Sequence, residues 1–211
     1  MSLLVTKAPV FAVNYKGEKT IKSGLYPNVT ATLKINQNLI SFYNTYPTSI
    51  VDDNIMTKWS IYANTPLAKD VKEQLYSQLK PVINDKTQLE AVNILLNWVQ
   101  TGFEYEYDDK VWDGDRVFFA EESLNYPFCD CEDRSILFTR LVRDFLGLKC
   151  ILVFYPGHLA AAVHFTEAVN GDYIQLNGQK YIICDPTYIN APIGATMPGM
   201  DNPSAKVIVL N

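Results

Sequence analysis

Past residue 65 the sequence changes its period once, and that change limits the folds open to it. From Pro66 to Leu146 the regular segments carry apolar residues at helical spacing; from Cys150 onward apolar residues run in short stretches broken by turn residues. The clearest helix covers 131–146, with Ile136, Leu137, Leu141, Val142 and Phe145 on one face and Arg140, Arg143 and Asp144 on the other. Asp130 is its N-cap and Gly147 its C′ residue. Thr87 and Glu90 form a capping box ahead of Leu89, Val92, Leu95, Leu96 and Val99, which predicts a helix over 88–101 ending near Gly102. Thr65 and Pro66 read as N-cap and first residue of an earlier helix over 66–80, which Pro81 stops. Strands are expected at 150–155, 158–165, 179–184 and 206–210. Helices first and an antiparallel sheet afterwards make the fold class α+β.

Residues 1–65 read as a small β-rich appendage, with 66–211 as the larger domain. Val10 to Val13 runs into a Lys16-Gly17 turn, and Val29, Ala31, Leu33 and Ile35 alternate with polar residues. Between the second and third helices, 103–128 is expected to be irregular. This stretch holds Tyr105, Tyr107, Trp112, Phe118, Phe119 and Tyr126 among acidic residues, which either line a cleft or cover the core.

With 211 residues, 48% hydrophobic and 19% charged, the chain can bury a sizeable core. Its net charge of −5 gives no footprint for nucleic acid or for an anionic membrane. The longest apolar stretch, 150–165, is interrupted by Pro156-Gly157 and contains both histidines, so no transmembrane segment is expected. Met1-Ser2-Leu3-Leu4 lacks the basic and apolar regions of a signal peptide, and the compartment stays open, an extracytoplasmic one included. The oligomeric state is equally open.

Four cysteines are too few for a disulfide scaffold and need separate explanations. Cys131 stands at the first position of a capped helix, where the partial positive charge favours thiolate, although Glu132 and Asp133 oppose it. A thiolate nucleophile needs a base and a group that orients the base. Pairing 158–165 with 179–185 so that His158 lies opposite Asp185 puts Phe165 against Gly178 and the reversal in a polar, glycine-containing stretch. His158 is therefore the candidate base and Asp185 its partner, while His164 belongs to the sheet. Cys184, adjacent to Asp185 on a strand, must face away from it. That weakens a Cys129/Cys131/His158/Cys184 metal set, which also lacks zinc-knuckle spacing. No metal and no cofactor are expected.

Asp130-Cys131-Glu132-Asp133-Arg134-Ser135 opening a helix, Gly157-His158 opening a strand, and Tyr181-Ile182-Ile183-Cys184-Asp185-Pro186-Thr187 closing the next resemble the transglutaminase-like superfamily of papain-like cysteine enzymes. The resemblance covers roughly 88–187. It implies a papain-like core bearing a Cys131, His158, Asp185 triad that performs acyl transfer at amide bonds of a peptide or protein substrate. A peptidase or amidase is the first expectation. A protein-crosslinking transglutaminase and a non-catalytic binding module that keeps the fold are the alternatives. The family also implies an aromatic donor beside the oxyanion hole, for which Trp112 and Tyr105 are the candidates.

Overall fold

The computed structural model describes residues 10–46 and 54–211; the start at Met1 to Leu4 lies outside them. In chain order the elements are β1 (Lys19–Lys22), β2 (Thr30–Leu33), α1 (Gln37–Asn44), α2 (Ile55–Asn64), α3 (Lys69–Ile83), α4 (Gln88–Gly102), α5 (Asp108–Val111), α6 (Ala120–Asn125), α7 (Cys131–Leu146), β3 (Lys149–Tyr155), β4 (His158–His164), β5 (Tyr173–Leu176), β6 (Gln179–Cys184) and β7 (Lys206–Val209). The class is α+β. β5-β6-β4-β3-β7 form a five-stranded antiparallel sheet, and β1-β2 form a separate pair.

Local signals set α4 and α7. Glu90 N–H donates to Thr87 Oγ1 (3.2 Å) and Thr87 N–H returns to Glu90 Oε2 (2.9 Å), closing the capping box. α7 ends where Gly147 takes the left-handed conformation, with φ 65°. It packs on α2, α4 and α6 and on one face of the sheet. On that face Cys150, Leu152, Leu159, Ala161, Val163, Ile182 and Cys184 join the main core. Ile151, Val153, Tyr155, Ala160, Ala162 and Ile183 point the other way and form a second cluster, as a period of two requires.

The described part of the first 65 residues, 10–46 and 54–65, is not β-rich. Only β1 and β2 are strands there among the described residues; Val10 to Val13 is irregular, and α1 and α2 are helical. α1 starts because the Asn36 side chain accepts from Asn38 N–H (3.1 Å). β2 is covered by α3, where Gln78 and Gln74 bond the backbone of Thr32 and Lys34 as another strand would. Ile21, Leu33 and Leu39 share one buried cluster with Trp98 and Leu137, so no break in the core marks residue 65.

The Thr65-Pro66 pair ends a helix instead of starting one. The residue before proline is pushed to extended backbone, and Thr65 has φ −67° and ψ 123° while its N–H and hydroxyl close α2 on Ile61 O. α3 starts three residues later, where Ala68 N–H donates to the Glu121 carboxylate (2.6 Å). Burial pushes that carboxyl up to about 7. Pro81 lies inside α3, close enough to its end to sacrifice one hydrogen bond while Leu79 and Ile83 stay buried. Within 103–128, α5 and α6 replace the expected irregular stretch.

β5 completes the sheet edge. Asn177 and Gly178, at φ 49° and 77°, make the two-residue turn that joins it to β6. Behind it, Gly171 and Gly194 cross: a Cβ on Gly194 would lie 2.6 Å from Gly171 Cα. Asp172 N–H donates to Gly194 O (2.8 Å) and Gly194 N–H to Ile183 O (2.7 Å), which anchors the chain that follows Asp185. Gly199, at φ 89°, has open space around it. Gly194→Ala should therefore cost about 2–4 kcal/mol, clash added to backbone strain, against roughly 1 kcal/mol for Gly199→Ala, where only strain acts. Urea midpoints of the two variants check this; equal losses would mean that the crossing relaxes freely.

Candidate active site

The first turn of α7 is fixed from two sides. Asp133 Oδ1 accepts Phe118 N–H (2.7 Å), tying the chain before α6 to the helix start, and Ser135 Oγ donates to Leu159 O (2.9 Å), docking that turn on β4. Cys131 is thereby held beside Leu159, whose N–H favours the thiolate.

His158 opens β4 directly after the Pro156-Gly157 turn, in which proline supplies its fixed φ and Gly157 the positive one (77°). Its ring stacks on Tyr155 at 6.3 Å, and Tyr155 OH donates to Asn202 Oδ1 (2.6 Å). His158 Nε2 lies 2.8 Å from Asp185 Oδ2, and both side chains are buried. The other carboxylate oxygen, Oδ1, accepts Thr187 N–H (2.8 Å) and Tyr188 N–H (3.2 Å). A carboxylate acceptor at Nε2 places the proton there and leaves the Nδ1 lone pair free.

The pair forms in a register other than the expected one. Ala161 lies opposite Cys184, where the expected register puts Ile182. A two-residue slip keeps every side chain on its face, and His158 reaches Asp185 diagonally across the strand ends. Cys184 does face away from Asp185, into the helix-side core. His164 falls on the sheet, with Nδ1 2.9 Å from Lys180 O and its ring beside Tyr181.

The expected Cys131–His158 hydrogen bond is absent among the described residues. Cys131 Sγ donates instead to Glu132 Oε2 at 3.2 Å. Strand alternation explains part of this: Leu159 faces α7, whereas His158 shares the face of Ala160 and Ala162. Burial first, and then the Glu132 and Asp130 carboxylates, push the Cys131 thiol pKa up. Burial also raises the Asp130 and Asp133 carboxyls, and Asp108 is pushed up to about 6.

Donor atoms of Asp130, Cys131 and Glu132 lie within 4.8 Å of one another, as do those of Asp108, Asp115 and Glu132. These are the groups that could hold a cation. The Cys129/Cys131/His158/Cys184 set is not brought together among the described residues. Cys129 is buried beside Arg134 and Lys19, its thiol pushed up to about 12 by burial.

The Tyr105 ring packs against the Arg134 guanidinium (5.3 Å), one helical turn from Cys131, and burial, followed by the charge of Cys131, raises its phenol pKa. Trp112 goes elsewhere: it packs on Phe118, Tyr126 and Phe128 under the Arg116 guanidinium, and has no hydrogen bond or ring contact with Cys131, His158 or Asp185 among the described residues. Three residues around the site were not singled out from sequence: Glu132 as partner of the thiol, Gln100, and Arg134, which donates to Gln100 O (3.0 Å) and Phe103 O (2.8 Å) at the end of α4. A usable signal for Gln100 was its place among buried neighbours on α4, where an unpaired amide is costly.

No protein-family model matches the chain, and a search of curated proteins finds no match. No helix among the described residues is long and apolar enough to cross a membrane.

Proposed function

We propose that this chain is a thiol-dependent acyl-transfer enzyme acting at amide bonds of a peptide or protein, with the papain-like core of the transglutaminase-like superfamily. The observation that carries this reading is the buried His158 Nε2 to Asp185 Oδ2 contact at 2.8 Å, formed at the strand end against which the Cys131 turn docks. Cys131 gives its proton to His158 Nδ1 as the sulfur attacks the amide carbonyl. The carbon–nitrogen bond then breaks, His158 returns the proton to the leaving amine, and a thioester remains on Cys131. Water resolves it in a peptidase or amidase; an amine resolves it in a transglutaminase. Attack requires the sulfur to leave Glu132 and come within reach of Nδ1. Tyr105, packed on Arg134 one helical turn from Cys131, and the Cys131 N–H are the donors this reading assigns to the developing oxyanion.

The Cys131–Glu132 bond favours a second reading, a binding module without turnover. A peptide-library cleavage screen separates the two. The native chain should cleave and Cys131→Ala should not. Cleavage that survives in Cys131→Ala rules out the thiol mechanism. If no peptide is cut and iodoacetamide labels Cys131 no faster than an exposed model thiol at pH 6, the binding module is left.

A further inference from the structure

We propose that Gln100 is a positioning residue that holds the Asp185 carboxylate on His158; as a statement about turnover it rests on the acyl-transfer reading, but its geometry does not. Gln100 is 2% exposed, in the last turn of α4. Its side-chain nitrogen donates to Asp185 O (3.0 Å), Tyr188 O (2.8 Å) and Ala191 O (3.2 Å). All three partners are acceptors, which fixes the amide orientation, and two protons serving three carbonyls must be shared between them.

Those carbonyls belong to the turn that aims Asp185. The Thr187 and Tyr188 N–H groups occupy Oδ1 and leave Oδ2 to His158, so the carboxylate points correctly only while residues 185–188 keep their path. The segment from Asp185 to Ala191 contains no helix or strand, and Gln100 supplies the donor that regular structure would have given it. The backbone of Gln100 is held in turn by Arg134 Nη1, one helical turn from Cys131. One residue therefore ties the acid loop to the nucleophile helix. Only a neutral donor suits the place: methionine keeps the length without the N–H groups, and a carboxylate would face three carbonyl oxygens.

The test is 15N NMR of His158 in the native chain and in Gln100→Met, with Cys131 alkylation and amide turnover measured on the same samples. In the native chain the two ring nitrogens should report one tautomer, protonated at Nε2. In folded Gln100→Met they should move toward the averaged values of a free imidazole, with kcat falling about 10- to 100-fold at unchanged KM. Gln100→Glu should behave the same way. Unchanged His158 nitrogen shifts in folded Gln100→Met overturn the proposal, whatever the activity. Should that variant not fold, the Gln100 side-chain protons of the native chain decide: slow exchange with solvent supports the clamp, and exchange at the rate of a free amide refutes it. If the native chain shows the single tautomer and the methionine variant loses it while neither cleaves any peptide, the enzyme reading fails and the positioning role stands.

Discussion

Asp185→Asn should lower amide turnover about 1,000- to 10,000-fold while leaving the chain folded. The size follows from which oxygen does what. Oδ1 accepts two backbone N–H groups, and an asparagine must keep its carbonyl oxygen there or leave both donors unpaired. Its NH2 group is then left facing His158 Nε2, 2.8 Å away. A donor opposite Nε2 requires an acceptor there, so the ring proton moves to Nδ1, the nitrogen that must take the thiol proton. The base is present and in place, but in the wrong tautomer. Binding of the peptide is not altered by this, so kcat should fall and KM should not. Asp185→Ala removes the carboxylate without imposing a tautomer and should cost less turnover but more stability, since it strands two N–H groups in a buried turn. A turnover number within tenfold of native for Asp185→Asn would remove Asp185 from the mechanism.

The parts of this site that were legible in the sequence are those governed by neighbours in the chain. Asp130 and Gly147 delimit α7 at the residues expected, and Thr87 with Glu90 delimits the start of α4. The Pro156-Gly157 turn fixes where β4 begins, and so where His158 sits. Strand parity separates Asp185 from Cys184, because parity survives a two-residue slip; the register is not legible in the same way, because it depends on where β5 and its Asn177-Gly178 turn take up the chain between β4 and β6. Thr65-Pro66 misled for a related reason. The same two residues that open a helix also close one, and only the position of Glu121, far along the chain, decides that α3 begins after Ala68. Glu132 was recognised as a charge opposing the helix dipole, but whether it faced solvent or the sulfur depends on how the acidic residues of α5 and its loop crowd the start of α7. Gln100 carries no motif at all, since its role consists of three carbonyls from another part of the chain.

Glu132→Gln should raise the rate of Cys131 alkylation at pH 7 about 10- to 100-fold. Burial already disfavours the thiolate; Glu132 Oε2 accepts the thiol proton at 3.2 Å and adds a charge that disfavours it further, so the native site holds the Cys131 thiol protonated. The amide removes the charge and offers an N–H that can turn to the sulfur, which leaves the positive end of α7 less opposed. The sign is unambiguous: the folded thiol pKa lies above the ordinary value, the substitution lowers it, and at any pH below it the thiolate fraction rises tenfold for each unit lost, or about 1.4 kcal/mol. Asp130→Asn should change the rate at pH 7 little, since burial pushes the Asp130 carboxyl up and leaves little charge there to remove. If the alkylation profile of Glu132→Gln superimposes on the native one, the Cys131–Glu132 bond does not hold the proton, and the thiol is restrained by burial alone. If the profile moves to lower pH and turnover rises with it, the carboxylate beside the nucleophile is a brake that substrate binding must release, and the absence of a sulfur to His158 bond marks the resting enzyme instead of a dead one.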